Sequence, residues 1–190
     1  PSDYTPYIQP GVSSIVSAPS DSNRAYMAWD GKLFYSTDQA ESWTRATDHG
    51  VEDLYMEPNA RDGRLWGERL AVDPQNADVV YYGSNKNGLL STTDGGVNWS
   101  VISGVPQGTK VNDSWPGLLV AVDGNSSLLD GRSSRIIALV TGEGVYESND
   151  GGQNWDNTLD GTFCDIVIGP DSNVYIVSDN KGTNQRKVYR

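Results

Sequence analysis

The chain has 190 residues, a formal net charge of −11 at pH 7 and a single cysteine, Cys164. A nucleic-acid partner is not expected, because a phosphate-binding surface needs clustered Lys and Arg and the sequence has no such cluster. One cysteine cannot form a disulfide within the chain. No apolar run reaches the length of a membrane span, so we expect no membrane partner.

The predicted elements are short strands, four in each of the first three groups and three in the last, which breaks off in KVYR. In chain order the groups occupy about residues 11–48, 67–103, 117–159 and 161–190. Their sequences are SSIVSAP, RAYMAW, KLFYST and SWTRAT; then ERLAVDP, DVVYYGS, GLLSTT and NWSVIS; then GLLVAVD, RIIALVT, GVYESN and NWDNTL; and finally FCDIVIGP, NVYIVSD and KVYR. The 21 glycines, 9 prolines and 10 tyrosines favour strands joined by tight turns over helices.

One phrase recurs between the third and fourth strand of the first three groups, at residues 36–43, 92–99 and 148–155. Its aspartates, at positions 38, 94 and 150, are 56 residues apart. A constant period of this length indicates a repeat architecture. Four antiparallel strands per period are typical of propeller blades. We therefore predict an all-β fold, a partial β-propeller of about four blades.

The recurring segments, called here the Asp–Trp turns, suit a structural role. An Asp can accept hydrogen bonds from turn amides, a Gly can adopt positive φ, and a Trp can bury its ring against the blade. The first copy departs from the others by having Ala40 in place of Gly. The spacing lacks the alternating oxygen ligands of a calcium loop, so no metal is predicted. The predicted structural residues are Asp38, Trp43, Asp94, Gly96, Trp99, Asp150, Gly152 and Trp155.

The pattern Ser/Thr-x-Asp-x-Gly-x-x-Trp resembles the Asp-box, or BNR repeat, of sialidases, sortilin-type receptors and several glycoside hydrolase propellers. A narrower resemblance begins at Gly67, where GERLAVDPQNADVVYYGSNKNGLLSTTDGGVNWS is similar to a blade of the xyloglucan-active glycoside hydrolases. It continues through VAVDGNSSLLDGRSSRIIALVTGEGVYESNDGGQNW, which has a Ser-rich loop and another Asp-box. The likeness covers about residues 11–190, and 67–100 is its most specific part.

That resemblance implies two seven-bladed propellers facing each other across a cleft, each contributing one catalytic carboxylate. The four groups of strands resemble the first propeller only. Because the chain starts at Pro1 and ends inside a predicted strand, we expect it to be cut from something longer. The implied partners are a polysaccharide or oligosaccharide, and further blades, another chain or further copies that cover the exposed strand edges. No cofactor is implied.

Asp30 is the candidate catalytic carboxylate. The segment Tyr26 to Asp30 resembles the end of the strand that carries the catalytic Asp in the family's first blade. The continuity into Gly67, Glu68 and Arg69 instead aligns this blade with the family's second, where the matching position is not catalytic. An Asp-Gly turn between two strands is the structural alternative.

The candidate substrate-binding residues are Glu68, Arg69, Trp29, Trp66 and Trp115. The Glu and Arg could form a structural pair or a charge pair on the substrate face. The three tryptophans lie outside the Asp–Trp turns, near predicted strand ends where loops emerge. Their indole rings could stack on sugar rings or pack within the fold.

Two functions remain open from the sequence. One is a part of a glycoside hydrolase acting on a β-glucan such as xyloglucan, with Asp30 as a base. The other is a non-catalytic propeller segment for glycan binding or assembly, in a secreted adhesin or a virus particle. Either places the chain outside the cell or on a virus particle. His49 has no Ser or Cys at triad spacing, and nothing marks the arginine triad of a sialidase.

Overall fold

The computed structural model contains four small antiparallel sheets and a separate two-stranded ribbon, which confirms the all-β prediction with about four blades. None of the residues that it describes is helical. The described residues are 12–29, 32–47, 69–84, 87–108, 118–178 and 187–190.

Each sheet is one blade, built from strands that are adjacent in the sequence. Blade 1 contains β1 (Val12–Ala18), β2 (Asp21–Trp29), β3 (Lys32–Ser36) and β4 (Thr44–Arg45) in that order. Blade 2 contains β5 (Leu70–Asp73), β6 (Asn76–Gly83), β7 (Leu89–Thr92) and β8 (Ser100–Val101).

Blade 3 has the same order with one insertion. Its strands are β9 (Leu118–Val122), β12 (Ile136–Val140), β13 (Gly144–Ser148) and β14 (Asp156–Asp160), and the inserted ribbon is β10 (Leu128–Leu129) with β11 (Arg132–Ser133). Three strands of blade 4 are described, β15 (Phe163–Ile168), β16 (Val174–Ser178) and β17 (Val188–Tyr189).

The hydrophobic core lies between the blades. Blade 1 packs on blade 2 through Tyr26, Tyr82 and Leu90, which are at most 1% exposed. Similar clusters join blades 2 and 3 and blades 3 and 4. The first strands, β1, β5, β9 and β15, contact one another in sequence. The sheets therefore stack face to face around their first strands, which is the propeller arrangement.

The second strand of an inner blade is buried on both sides because a sheet covers each face. All five residues of β12 are buried, and its sequence IIALV is continuously apolar for that reason. By contrast, β14 (DNTLD) lies at the outer edge of blade 3 and is mostly exposed. Its acidic residues keep this edge in water.

Two aspartates that the sequence analysis did not single out link neighbouring blades. Asp73 of blade 2 is fully buried and accepts hydrogen bonds from the Ser133 backbone N–H at 2.5 Å and from the Ser133 hydroxyl at 2.7 Å. Asp123 of blade 3 accepts a hydrogen bond from the Ser172 hydroxyl of blade 4 at 3.0 Å. Asp73 ends the first strand of its blade and Asp123 directly follows the first strand of its own, so a carboxylate at this place contacts the next blade in both cases.

The Ser-rich loop of blade 3 contains the ribbon β10–β11, which was not predicted as strand. Asp130 and Gly131 connect its strands with φ of 51° and 78°, the two positive values of a type I′ turn. Asn76 of blade 2 donates a hydrogen bond to the Gly131 carbonyl at 2.6 Å. The ribbon is thereby attached to the neighbouring blade.

Candidate functional site

The Asp–Trp turns form a repeated hydrogen-bond network. In the second copy the Thr92 hydroxyl and the Asn98 backbone N–H donate to Asp94 Oδ1 at 2.8 and 2.9 Å. The Trp99 indole N–H donates to the Gly96 carbonyl at 3.0 Å. The third copy repeats these bonds with Ser148, Asn154, Asp150, Trp155 and Gly152. These turns therefore hold β3 to β4, β7 to β8 and β13 to β14.

These hydrogen bonds keep the carboxylates ionised. Bonds from Ser42 and Ser36 lower the pKa of Asp38 to about 2, and bonds from Asn154 and Ser148 lower the pKa of Asp150 to about 2. A group with such a low pKa carries no proton at neutral pH. These aspartates are acceptors within the turns and are unsuited to act as general acids.

The second and third Asp–Trp turns also contact the preceding blade. A Cβ built on Gly96 would lie 3.0 Å from Tyr26 Cε1 and 3.1 Å from Tyr35 Cβ, both in blade 1. A Cβ built on Gly104 of blade 2 would lie 3.3 Å from Trp155 Cδ1 of blade 3. The turns thus act as joints between blades in addition to closing hairpins.

The first copy has two non-glycine residues with positive φ, Gln39 at 64° and Ala40 at 67°. No described blade precedes blade 1, so Ala40 does not face the tyrosine contact that Gly96 makes. A Cβ is therefore sterically tolerated at this position, and alanine costs stability here only through its left-handed backbone conformation. This explains how the first copy departs from Gly and still forms the turn.

The candidate substrate-binding residues that the structure describes lie at the opposite end of the blades, called here the Trp29 end. Trp29 closes β2 and pairs with Val12 at the start of β1. Its side chain is 40% exposed, and its ring centroid lies 5.7 Å from that of Phe34 at an interplanar angle of 44°. Trp29 therefore presents a supported aromatic surface to solvent.

Arg69 lies at the same end, because it directly precedes β5 and its carbonyl accepts a hydrogen bond from Gly83 at the end of β6. Its side chain is 2% exposed. Burial lowers the pKa of Arg69, and a hydrogen bond with the buried Tyr82 hydroxyl opposes this shift. The structure thus surrounds this guanidinium with protein.

Tyr82 and Ser13 are neighbours of the Arg69 side chain that the sequence did not indicate. Burial raises the pKa of Tyr82, while hydrogen bonds with Ser13 and Arg69 act against it. The Ser13 hydroxyl donates to the Ala28 carbonyl at 3.1 Å. Blade 2 is thereby linked to the end of β2, next to Trp29. The register of β5 with β6 brings Arg69 to Tyr82, and the packing of blade 1 on blade 2 brings Ser13 to it, so no local sequence signal marks these residues.

The other candidates lie outside the described residues. They are Asp30, Glu68, Trp66 and Trp115, and His49 lies outside as well. Their assigned roles stay predictions, as do the substrate-binding roles of Trp29 and Arg69. The structure places the last two at one end of adjacent blades. Within the described ranges, no group of three or more His, Cys, Asp or Glu side chains could hold a metal ion.

Comparison with known proteins gives a consistent relationship. The chain is 34% identical over 167 residues to a xyloglucanase of Acetivibrio thermocellus, an alignment that covers 76% of the chain and 19% of the relative. It is 31% identical over 171 residues to a xyloglucanase of Hypocrea jecorina, with 76% and 20% covered. The chain is homologous to part of the xyloglucanases. It spans about a fifth of the length of these relatives.

The solved structures agree with the sequence relationship. A GH74 enzyme of Niastella koreensis superposes with a TM-score of 0.75 at 27% identity, covering 94% of the chain and 28% of the enzyme. A GH74 xyloglucanase of Xanthomonas campestris gives a TM-score of 0.73 at 22% identity, covering 88% of the chain and 26% of that enzyme. No family model matches the chain. The described residues contain no helix that could cross a membrane.

Proposed function

We propose that the chain is a carbohydrate-directed propeller segment of a glycoside hydrolase that acts on a β-glucan such as xyloglucan. The observation that carries this proposal is the homology to xyloglucanases together with an exposed Trp29 at the end opposite the Asp–Trp turns. The relatives carry xyloglucan in their names, and an extracellular location follows from a polysaccharide substrate of this kind.

The Trp29 end suits a neutral polymer. The C–H faces of pyranose rings pack on indole rings, and Phe34 supports the Trp29 ring from one side. The net charge of −11 does not oppose the binding of an uncharged polysaccharide. Trp66 and Trp115 would extend the same surface, because each precedes the first strand of a blade.

Hydrolysis needs two carboxyl groups on opposite sides of the scissile bond. We propose that Asp30, next to Trp29, supplies one of them, as the base. The second would come from further blades or another chain. Arg69, which is buried, would then have an indirect role. Its hydrogen bond would fix the position of Tyr82, and Tyr82 would in turn fix the end of β2.

Two assays test this function. Reducing ends released from xyloglucan are measured for a longer protein that contains this chain together with the blades that would supply the second carboxyl group, as wild type and as Asp30→Asn, and we expect the substitution to abolish the release. Binding of xyloglucan oligosaccharides is measured by calorimetry for Trp29→Ala, with Tyr189→Ala as the control because Tyr189 is 38% exposed on another blade. We expect loss of binding for Trp29→Ala alone. Equal binding by both variants would contradict the assignment of the Trp29 end.

The alternative function is a non-catalytic segment for glycan binding or assembly, in a secreted adhesin or a virus particle. Xyloglucan binding that requires Trp29, without release of reducing ends by the longer protein that contains the further blades, would support this alternative.

A further inference from the structure

The hairpin that joins β12 to β13 lies at the Trp29 end of blade 3, because blades 1, 2 and 3 share one strand order and Trp29 closes the second strand of blade 1. Its turn spans residues 140–143 and is closed by a hydrogen bond from the Glu143 N–H to the Val140 carbonyl at 3.0 Å. Gly142 has φ of 80°, as the third residue of a type II turn requires. The turn therefore holds Glu143 at a defined place at this end.

Residues 105–108 cross the Trp29 end from blade 2 to blade 3. A Cβ built on Gly88, in the hairpin between β6 and β7, would lie 3.7 Å from Gln107 Cγ. A Cβ built on Gly108 would lie 3.7 Å from Thr141 Cβ, in the hairpin of blade 3. Gly108 is buried and Thr141 is 3% exposed. The two hairpins and the segment between them are therefore packed together at the border of blades 2 and 3.

Two polar side chains at this border have no partner among the described residues. Gln107 is exposed and Glu143 is half-buried, and neither side chain forms a hydrogen bond or an ion pair with a residue that the structure describes. Asp160 lies at the same end of blade 3, opposite Gly144, but its carboxylate accepts a hydrogen bond from Asn157 Nδ2 at 2.8 Å. Gln107 and Glu143 are therefore available to a ligand.

We propose that Gln107 and Glu143 form a second sugar-binding site, which takes neutral pyranose units of the same polysaccharide that Trp29 binds. This inference rests on the proposed function, because it extends the sugar-binding surface of the Trp29 end. A carboxylate accepts strong hydrogen bonds from hydroxyl groups, and a carboxamide both donates and accepts them. The pair therefore matches the hydroxyl groups along the edge of a pyranose ring. A stacking surface supplemented by a few placed polar groups is typical of ligand sites.

The two sites are too far apart to hold the same sugar ring. Neighbouring sheets pack about 10 Å apart, and the border of blades 2 and 3 lies between one and two such spacings from blade 1. One pyranose ring cannot reach from the Trp29 indole to Glu143, whereas an oligosaccharide chain can. The polysaccharide is therefore bound lengthwise across blades 1, 2 and 3, and each site contributes separately to the affinity.

Calorimetric titration of the 190-residue chain with xyloglucan oligosaccharides tests the inference. Glu143→Gln keeps the shape of the side chain and removes its charge. We expect this variant to bind about fivefold more weakly, because a hydrogen bond to a charged group is stronger than one to a neutral group. Gln107→Ala removes the carboxamide and is expected to weaken binding by a similar factor.

Asp156→Asn is the matched control for the loss of one negative charge. Asp156 is exposed at the start of β14, opposite Glu147 and away from the Trp29 end. We expect this variant to bind like the wild type. Circular dichroism melts verify that all variants are folded, as expected for substitutions at positions that are not buried.

The outcomes separate the second site from the proposed function. Normal binding by Glu143→Gln and Gln107→Ala, with loss of binding for Trp29→Ala, overturns the second site and leaves the proposed function in place. Equal weakening by Asp156→Asn and Glu143→Gln also overturns the second site, because net charge would then explain the effect. A wild type that binds no oligosaccharide overturns both.

Discussion

Gly96 and Gly152 offer a direct test of the Asp–Trp turns as joints between blades. Both glycines have φ of 88°, so an alanine at either position meets the same backbone strain. Their surroundings differ. A Cβ at Gly96 would lie 3.0 Å from Tyr26 Cε1 of the preceding blade, whereas the atom nearest to a Cβ at Gly152 would be Ile136 Cδ1 at 3.5 Å.

The expected losses of stability follow from these distances. A left-handed alanine costs about 1–2 kcal/mol, and the reduced freedom of the unfolded chain returns about 0.4–1 kcal/mol. Gly152→Ala should therefore lower the free energy of unfolding by about 1 kcal/mol. Overpacking adds about 1–3 kcal/mol, so Gly96→Ala should cost about 2–4 kcal/mol.

The assay is urea unfolding followed by tryptophan fluorescence, with the midpoint and slope fitted for each variant. A second substitution, Tyr26→Leu, removes the ring that the new methyl group would meet. We expect Gly96→Ala to be less damaging in that background than in the wild type. If Gly96→Ala and Gly152→Ala lowered the free energy of unfolding equally, the Asp–Trp turn would close a hairpin without joining two blades, and the reasoning would be refuted.

Three further predictions concern single groups, and each is measured by urea unfolding. Ala40→Gly should raise the free energy of unfolding by about 0.5–1 kcal/mol, because it relieves a φ of 67° with no lost contact. Tyr26→Phe should cost about 1 kcal/mol by removing an interblade hydrogen bond. Tyr81→Phe should cost less, because the buried Tyr81 hydroxyl makes no hydrogen bond of good geometry with a described residue and loses only its weaker interaction with the nearby Arg132. Folding lowers the pKa values of Asp38 and Asp150 from an ordinary 3.8 to about 2. The two carboxylates therefore stabilise the fold above about pH 4, and this stabilisation is lost as the pH falls through 2. The double Asp→Asn variant should lose less free energy of unfolding between about pH 5 and 2 than the wild type does.

The strands could be predicted from the sequence because each blade is built from local contacts. The segment RIIALVT predicts a strand, and the structure has one at Ile136–Val140. The 56-residue spacing of the Asp–Trp turns predicts the number of blades. The ribbon β10–β11 was missed because its short strands lack alternation. Only its Asp130-Gly131 turn carries a hairpin signal.

The contacts between blades could not be predicted, since their partners are far apart in the sequence. Asp73 and Ser133 are 60 positions apart and meet only when two blades stack. The hydrogen-bond partner of Arg69 could not be predicted either. Its neighbour Glu68 suggested a local charge pair, whereas the structure gives the guanidinium a partner in Tyr82, on the adjacent strand.

The central claim is that the tryptophans have two roles, structural in the Asp–Trp turns and sugar-binding at the Trp29 end. Fluorine NMR of the chain labelled with 5-fluorotryptophan, titrated with xyloglucan oligosaccharides, tests this most directly. Resonances are assigned by replacing each of Trp29, Trp43, Trp99 and Trp155 with Phe. We predict that the Trp29 resonance shifts with added sugar and that the other three do not. An unchanged Trp29 signal, or shifts at the turn tryptophans instead, would contradict the claim.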